Sequence, residues 1–278
     1  MARADYRVIG TYHAHPPDNA TGEGDDDGDG AQWRTLDVRD GAAIDSCIAA
    51  VDPAVVINCA YVQRGPDVDA ITAEAPGVLA AAARRARAQF VHLSSDVVFP
   101  GRSDRGYRED DEPAPVHDYG RAKHRAEQLV SAAHAAPLII RTSLIYGGPT
   151  DGPQERLVRA APEERGNDMW FFTDEIRNPI LVDELASAIL ELVAGKHHGV
   201  LHVAGADAVD RLTFARLLAT AMHADASGLR GRPRDPSAGP RPGDLTLDCA
   251  KARAILRDTA LTGARDALSR RGRRSDRG

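Results

Sequence analysis

The sequence predicts an α/β fold with a doubly wound parallel sheet, and three observations carry that prediction. Short runs rich in Val, Ile and Leu have the length of buried strands, Ala-rich runs between them have the length and spacing of helices, and the two alternate over residues 42–141. Regular alternation of strand and helix is the pattern that buries a parallel sheet between helix layers. A chain of 278 residues with 42% hydrophobic content can supply one large α/β unit or two intimate domains.

Taken in order, Tyr6-Arg7-Val8-Ile9-Gly10-Thr11-Tyr12 reads as a short strand. Pro16-Pro17 and the acidic, glycine-rich stretch from Gly22 to Gly30 follow as a surface loop. Asp25, Asp27, Asp29 and Gly30 fall on the first ligand positions of a calcium loop, but Leu36 holds the closing carboxylate position and no flanking helices are evident, so no metal is expected. A second short strand precedes Asp37-Val38, helical patterning runs through Ala42–Ile48, and Ala54–Asn58 reads as a buried parallel strand. A helix from Glu74 to Arg87, a strand from Gln89 to Leu93, a helix from Tyr119 to His134 and a strand from Leu138 to Arg141 continue the alternation. Regularity fades after Gly147-Gly148-Pro149, although Val182–Leu190 is an amphipathic helix; the Pro-rich segment Arg230–Gly243 reads as irregular. These features divide the chain into a cofactor-type domain over residues 1–148 and a smaller substrate domain over 149–278, with the 176–195 segment packing back on the sheet.

Composition removes several function classes. A net charge of -6 argues against a general nucleic-acid binder, and Arg270, Arg271, Arg273 and Arg274 read as a solvated tail. Cys47, Cys59 and Cys249 lack zinc-ligand or redox spacing and suit free thiols in a reducing cytoplasm. No apolar run approaches the ~20 residues of a membrane span, and no signal peptide precedes the first strand.

The chemistry is carried by Tyr119-Gly120-Arg121-Ala122-Lys123. Lys+Arg total 35, yet the only lysines are Lys123, Lys196 and Lys251, so a retained Lys points to a need for a compact ammonium rather than a guanidinium fork. On a helix, i and i+4 share a face, which sets Lys123 beside the Tyr119 phenol. A free phenol titrates near ~10, too high for proton exchange at neutrality, and an adjacent cation favours its phenolate form.

Three motifs stand in order along the chain: Val91-His92-Leu93-Ser94-Ser95-Asp96-Val97-Val98-Phe99, Tyr119-x-x-x-Lys123, and Arg141-Thr142-Ser143-Leu144-Ile145-Tyr146-Gly147. Together they resemble the extended short-chain dehydrogenase/reductases, and within them the dTDP-4-dehydrorhamnose reductase group. Tyr107-Arg108-Glu109-Asp110-Asp111, Gly199–Gly205 and Arg241–Asp248 are similar to further segments of that group. The resemblance implies a Rossmann-like sheet with a smaller C-terminal substrate domain, and reduction of a keto group on a nucleotide-sugar-like small molecule by NADPH or NADH. It implies Tyr119 as general acid, Lys123 as its electrostatic partner and ribose ligand, and Ser95 as the donor that polarises the substrate carbonyl. Asp96, Val97, Leu144 and Arg177 are implied at the substrate; a surface salt bridge is an equal account of Arg177. Asp37 and Val38 are implied at the adenine ring, with a turn role for Asp37 equally open, and Asn58, Cys59 and Ala60 beside the dinucleotide. Thr11, Tyr12 and His13 end the strand where a carboxylate would read the ribose 2'-hydroxyl; its absence leans toward NADPH. The assembly state is left open, a homodimer included.

The chain departs from the group at several points. The group opens with a strand, a G-x-x-G-x-x-G turn and a helix whose backbone donors bind pyrophosphate, and here the first strand matches the group's second. The glycines from 22 to 30 are no substitute, because their aspartates repel pyrophosphate. Either the start is placed too far downstream or the chain is truly shortened and has lost tight cofactor binding, in which case it is a binding or regulatory subunit on the same fold. The group's sugar-pocket aromatics are replaced by Val97 and Leu144, and its relay Asn aligns with Glu74.

Overall fold

A computed structural model describes residues 6–16, 32–102, 104–161 and 169–275, with residues 236 and 271–275 as backbone only. The chain forms two compact units, Met1–His92 with Arg125–Pro137, and Leu93–His124 with Leu138–Gly278. The calcium-loop residues Asp25, Asp27, Asp29 and Gly30 lie outside the described residues.

In the first unit β1 (Ile9–Tyr12) pairs parallel with β2 (Gln32–Thr35), and the Trp33 ring lies directly on Gly10, where any side chain would collide with it. α1 (Gly41–Val51) is capped by Asp40, whose carboxylate accepts from the amides of Ala42 and Ala43 at 2.9 and 3.0 Å. β3 (Val55–Asn58) then pairs parallel with β4 (Gln89–Ser95), Asn58 standing opposite His92. Between them the expected helix begins later than Glu74: a π-helical segment, Val68–Glu74, leads into α2 (Ala75–Arg85), which has Pro76 in its first turn.

Among the described residues no strand joins β1 to β3, and the two belong to separate sheets. Val8, Ile57, Tyr61 and Val78 are exposed at 56%, 41%, 47% and 41%. Each forfeits part of the ~1.5–3 kcal/mol that full burial of a large apolar side chain contributes.

In the second unit α3 (Asp118–Ala133) begins, its last turns belonging to the first unit. β5 (Leu138–Thr142), buried at every position, runs straight into β6 (Ile145–Tyr146). α4 (Pro153–Ala160), β7 (Phe171–Phe172), β8 (Ile176–Arg177), β9 (Ile180–Leu181) and α5 (Val182–Ala194) follow. β10 (Gly199–His202) pairs parallel with β5, and β11 (Val209–Asp210) pairs antiparallel with β8. α6 (Arg211–Ala221), β12 (Gly231–Arg232), α7 (Ala250–Ile255) and α8 (Ala264–Ser275) complete the unit. Tyr146, Val158, Phe214, Leu218 and Leu268 form its apolar centre, drawn from β6, α4, α6 and α8. The arginine-rich end read as a tail is backbone-helical as far as Ser275. No helix among the described residues is long and apolar enough to cross a membrane.

Candidate active site

β4 ends in the second unit with Ser95, which turns the chain into a short 3-10 segment, Asp96–Val98, and accepts a 3.4 Å bond from the Val97 amide. The Ser95 hydroxyl donates to Asp96 Oδ1 at 3.1 Å, and the Ser143 hydroxyl donates to Asp96 Oδ2 at 2.6 Å. Arg177 Nε stands 3.7 Å from the same Oδ2. Burial pushes the Asp96 carboxyl above its ordinary range, against the Arg177 charge and the two hydroxyls, which pull it down. Asp96 is therefore the node that ties Ser95 to Ser143 and Arg177.

α3 brings the other half. Its first turn carries Tyr119, half-buried, and one turn later Lys123, 3% exposed, whose Nζ donates to the Leu93 carbonyl at 2.8 Å. The i, i+4 face expected for the pair is thus present, with the ammonium anchored on the strand that ends in Ser95. His117 caps this helix: its Nδ1 accepts from the Gly120 amide at 3.0 Å, the N-cap to N3 bond usually made by Ser, Asp or Asn. The His117 ring stacks on that of Tyr119, with centroids 6.4 Å apart and planes 13° apart. Burial lowers the His117 pKa below the ordinary histidine value, helped by Arg177, Arg121 and Arg241. A Cβ on Gly120 would lie 2.9 Å from Pro115 Cβ and closer still to the Val97 carbonyl oxygen, so only glycine lets α3 approach the turn after Ser95.

The remaining substrate candidates divide. Val97, partly buried, is in the turn beside Ser95, whereas Leu144 packs against the apolar cluster of α4, α6 and α8. Arg177 is buried rather than a surface salt-bridge partner: its Nη1 donates to the Ile176 and Gly243 carbonyls at 2.8 Å each.

Apart from Lys123, the residues implied at the cofactor lie in the first unit. Asp37 accepts from the Arg39 amide at 3.0 Å and from Arg39 Nη2 at 2.8 Å, and these bonds hold its pKa down to about 2. That is the turn role left open for it. Val38 is half-buried beside it, and Thr11 is exposed at the end of β1. His13, also exposed, has Nε2 3.4 Å from Arg39 Nη2. Asn58 bonds His92 Nδ1 at 3.2 Å and accepts from the Ala60 amide at 3.0 Å, so its side chain fastens strand ends, while Cys59 is exposed. Glu74, in the relay Asn's place, pairs with Arg125 at 2.7 Å. The Lys123 ammonium, bonded to the Leu93 carbonyl near the end of β4, is a cation that could meet the ribose end of a dinucleotide; the described residues contain no glycine-rich turn to suit its pyrophosphate.

Sequence reasoning missed Ser143, His117 and Arg39. Ser143 stood inside a quoted motif and needed only the question of what it bonds. His117 gave no signal, because histidine is an uncommon cap.

Comparison with known proteins decides the family: the RmlD substrate binding domain matches residues 24–270. The chain belongs to that family. A dTDP-4-dehydrorhamnose reductase of Mycolicibacterium smegmatis is 35% identical over 246 residues, covering 84% of this chain and 73% of its own. Methionine adenosyltransferase 2 subunit beta of Xenopus tropicalis is 28% identical over 244 residues, covering 81% and 71%. A crystal structure of dTDP-4-dehydrorhamnose reductase from Bacillus anthracis in complex with NADP superposes with a TM-score of 0.74 at 22% identity, over 86% of this chain and 89% of that one. As an RmlD-family chain it has the Rossmann-like, parallel-sheet α/β fold that its strand and helix alternation predicted.

Proposed function

We propose that the chain is an NAD(P)H-dependent reductase acting on a keto group of a nucleotide-sugar-like substrate, as the names of its reductase relatives suggest. The observation that carries this is the meeting, within the second unit, of Tyr119 and buried Lys123 on α3 with the end of β4 that presents Ser95. The cofactor, when bound, supplies the hydride. The Ser95 hydroxyl, whose one proton lies on Asp96 Oδ1 in the structure, must turn from that carboxylate to donate to the ketone oxygen and polarise it. Tyr119 delivers the proton that converts that oxygen to a hydroxyl, and the Lys123 charge lowers the energy of the phenolate left behind. Asp96, released by Ser95, stays held by Ser143. In the second unit Lys123 would hold the nicotinamide ribose; in the first, Thr11, His13, Asp37, Val38, Asn58, Cys59 and Ala60 are the cofactor candidates. Residues 1–148 would serve the cofactor and 149–278 the sugar. NADPH is favoured over NADH, because the residues that end β1, Thr11, Tyr12 and His13, include no carboxylate. The setting proposed is the cytoplasm.

A non-catalytic binding subunit is the alternative, favoured by the similarity to a subunit named beta. The two separate on Tyr119→Phe. Oxidation of NADPH by a 4-keto sugar nucleotide, followed by loss of nicotinamide absorbance, should fall by at least ~10²-fold if Tyr119 is the acid. Turnover absent in the parent chain, with nucleotide-sugar affinity unchanged in the variant, would establish the binding subunit instead.

A further inference from the structure

His117 holds the first turn of α3 at three points. Its carbonyl accepts from the Arg121 amide at 3.0 Å, and its Nδ1 accepts from the Gly120 amide at 3.0 Å. Its ring lies within 13° of the plane of the Tyr119 ring. Gly120 has no Cβ to crowd that ring; one placed there would stand 3.4 Å from His117 Cε1. The phenol is thus oriented by a neighbour that can itself gain a proton.

An acceptor at Nδ1 requires the neutral ring, with its proton on Nε2. Protonation turns Nδ1 into a donor facing the Gly120 donor, and it sets a cation at the positive end of α3. The charges around the ring oppose that cation too. Arg121 on α3, Arg177 on β8 and Arg241 in the segment that leads to Asp244 all repel it, while Asp118, the adjacent carboxylate, is 91% exposed and paired with Arg121. Burial first, and these arginines after it, keep His117 neutral to below the ordinary histidine value. A serine or asparagine would cap the same turn at any pH.

We propose that His117 is a positioning residue for the reduction: its neutral ring fixes Tyr119 against the turn after Ser95, and protonation frees that turn and lowers turnover. This rests on the reading of Tyr119 as the proton donor and adds a regulation of the same site. The acid limit of the enzyme then belongs to a helix cap rather than to a group that exchanges the proton.

The pH profile of kcat for NADPH-dependent reduction of a 4-keto sugar nucleotide, from about pH 8 down to about pH 5, tests this in the parent chain, His117→Asn and His117→Phe. Hydrogen exchange of the Gly120 amide, corrected for its intrinsic rate, is followed over the same interval. The parent should lose kcat by ~2–30-fold as the ring protonates, the ratio equivalent to loss of a cap, and Gly120 protection should fall at the same pH. His117→Asn, which caps without titrating, should show no acid limb from its own starting rate. His117→Phe, which keeps a ring and loses the acceptor, should be flat at the low plateau that the parent reaches in acid. An acid limb retained in His117→Asn would overturn the proposal and pass the limb to Asp96, whose carboxyl burial pushes up. A flat parent profile would overturn it as well. Should His117→Phe fail to fold, the asparagine variant and Gly120 exchange still decide. Gly120 protection lost in acid without any NADPH oxidation would uphold the cap release and refute the reductase. Tyr119-dependent oxidation with Gly120 protection indifferent to pH would do the reverse.

Discussion

Replacing Gly120 by alanine should cost far more activity than stability, and the geometry says by how much. The new Cβ would lie 2.9 Å from Pro115 Cβ, and carbon atoms pack at about 3.5–4.0 Å, so that contact alone demands a shift of ~0.6 Å. The tighter conflict is with the Val97 carbonyl oxygen, which is backbone and cannot rotate away. Relief requires the first turn of α3 to move off the turn after Ser95 by something near 1 Å, and a misplacement of that size can cost ~10²-fold in rate. Overpacking destabilises by ~1–3 kcal/mol. Part is returned, because alanine is about 1 kcal/mol better than glycine inside a helix. The net loss is ~0–2 kcal/mol, too small to unfold an ordinary domain. The assay is kcat/KM for NADPH-dependent reduction beside a denaturant titration of the same sample. Full activity in Gly120→Ala would refute the close approach of α3 to the Ser95 turn, and so would a loss of activity matched by loss of folded protein.

Two further predictions concern the same unit. Ser143→Ala removes a 2.6 Å donor from buried Asp96 and should destabilise by ~1.5–3 kcal/mol, raise the Asp96 pKa further, and lower kcat with KM little changed; urea unfolding and a pH–rate profile check it. His117 has a folded pKa below its unfolded value, so its contribution to stability is complete above an ordinary histidine pKa and is lost as pH falls through that value toward the folded one. His117→Asn, which keeps a cap acceptor but does not titrate, should flatten this acid-side loss of melting temperature, whereas His117→Ala should lower stability by ~1 kcal/mol at every pH above the transition. An unchanged acid limb in His117→Asn would remove His117 as its source.

The elements legible in the sequence are those whose information is local. Leu138–Thr142 is buried at all five positions and reads as a parallel strand on composition alone, and Tyr119 and Lys123 declare their shared face by spacing. β6, β7, β8, β9, β11 and β12 are two residues long, and two residues carry no period, so the last third faded on inspection although it holds α6, α7 and α8. The burial of Arg177 depended on this hidden layer. Its partners Asp96 and Gly243 are more than sixty positions away in sequence. The same limit applied to Asp37: its turn role required knowing that Arg39 folds back on it, and sequence left turn and adenine contact equal.

Ser95, Asp96, Ser143, His117, Tyr119, Lys123 and Arg177 all belong to the second unit, so the proposed proton-transfer residues lie within one body of the chain. The unsatisfied apolar surface at Val8, Ile57, Tyr61 and Val78 belongs wholly to the first unit. Val8→Thr, which removes exposed apolar area, should leave the stability lost in Ser143→Ala the same within ~0.5 kcal/mol, since sites with no shared partner add independently. A larger departure from additivity in urea titrations of the two single variants and the double would show that they share a partner.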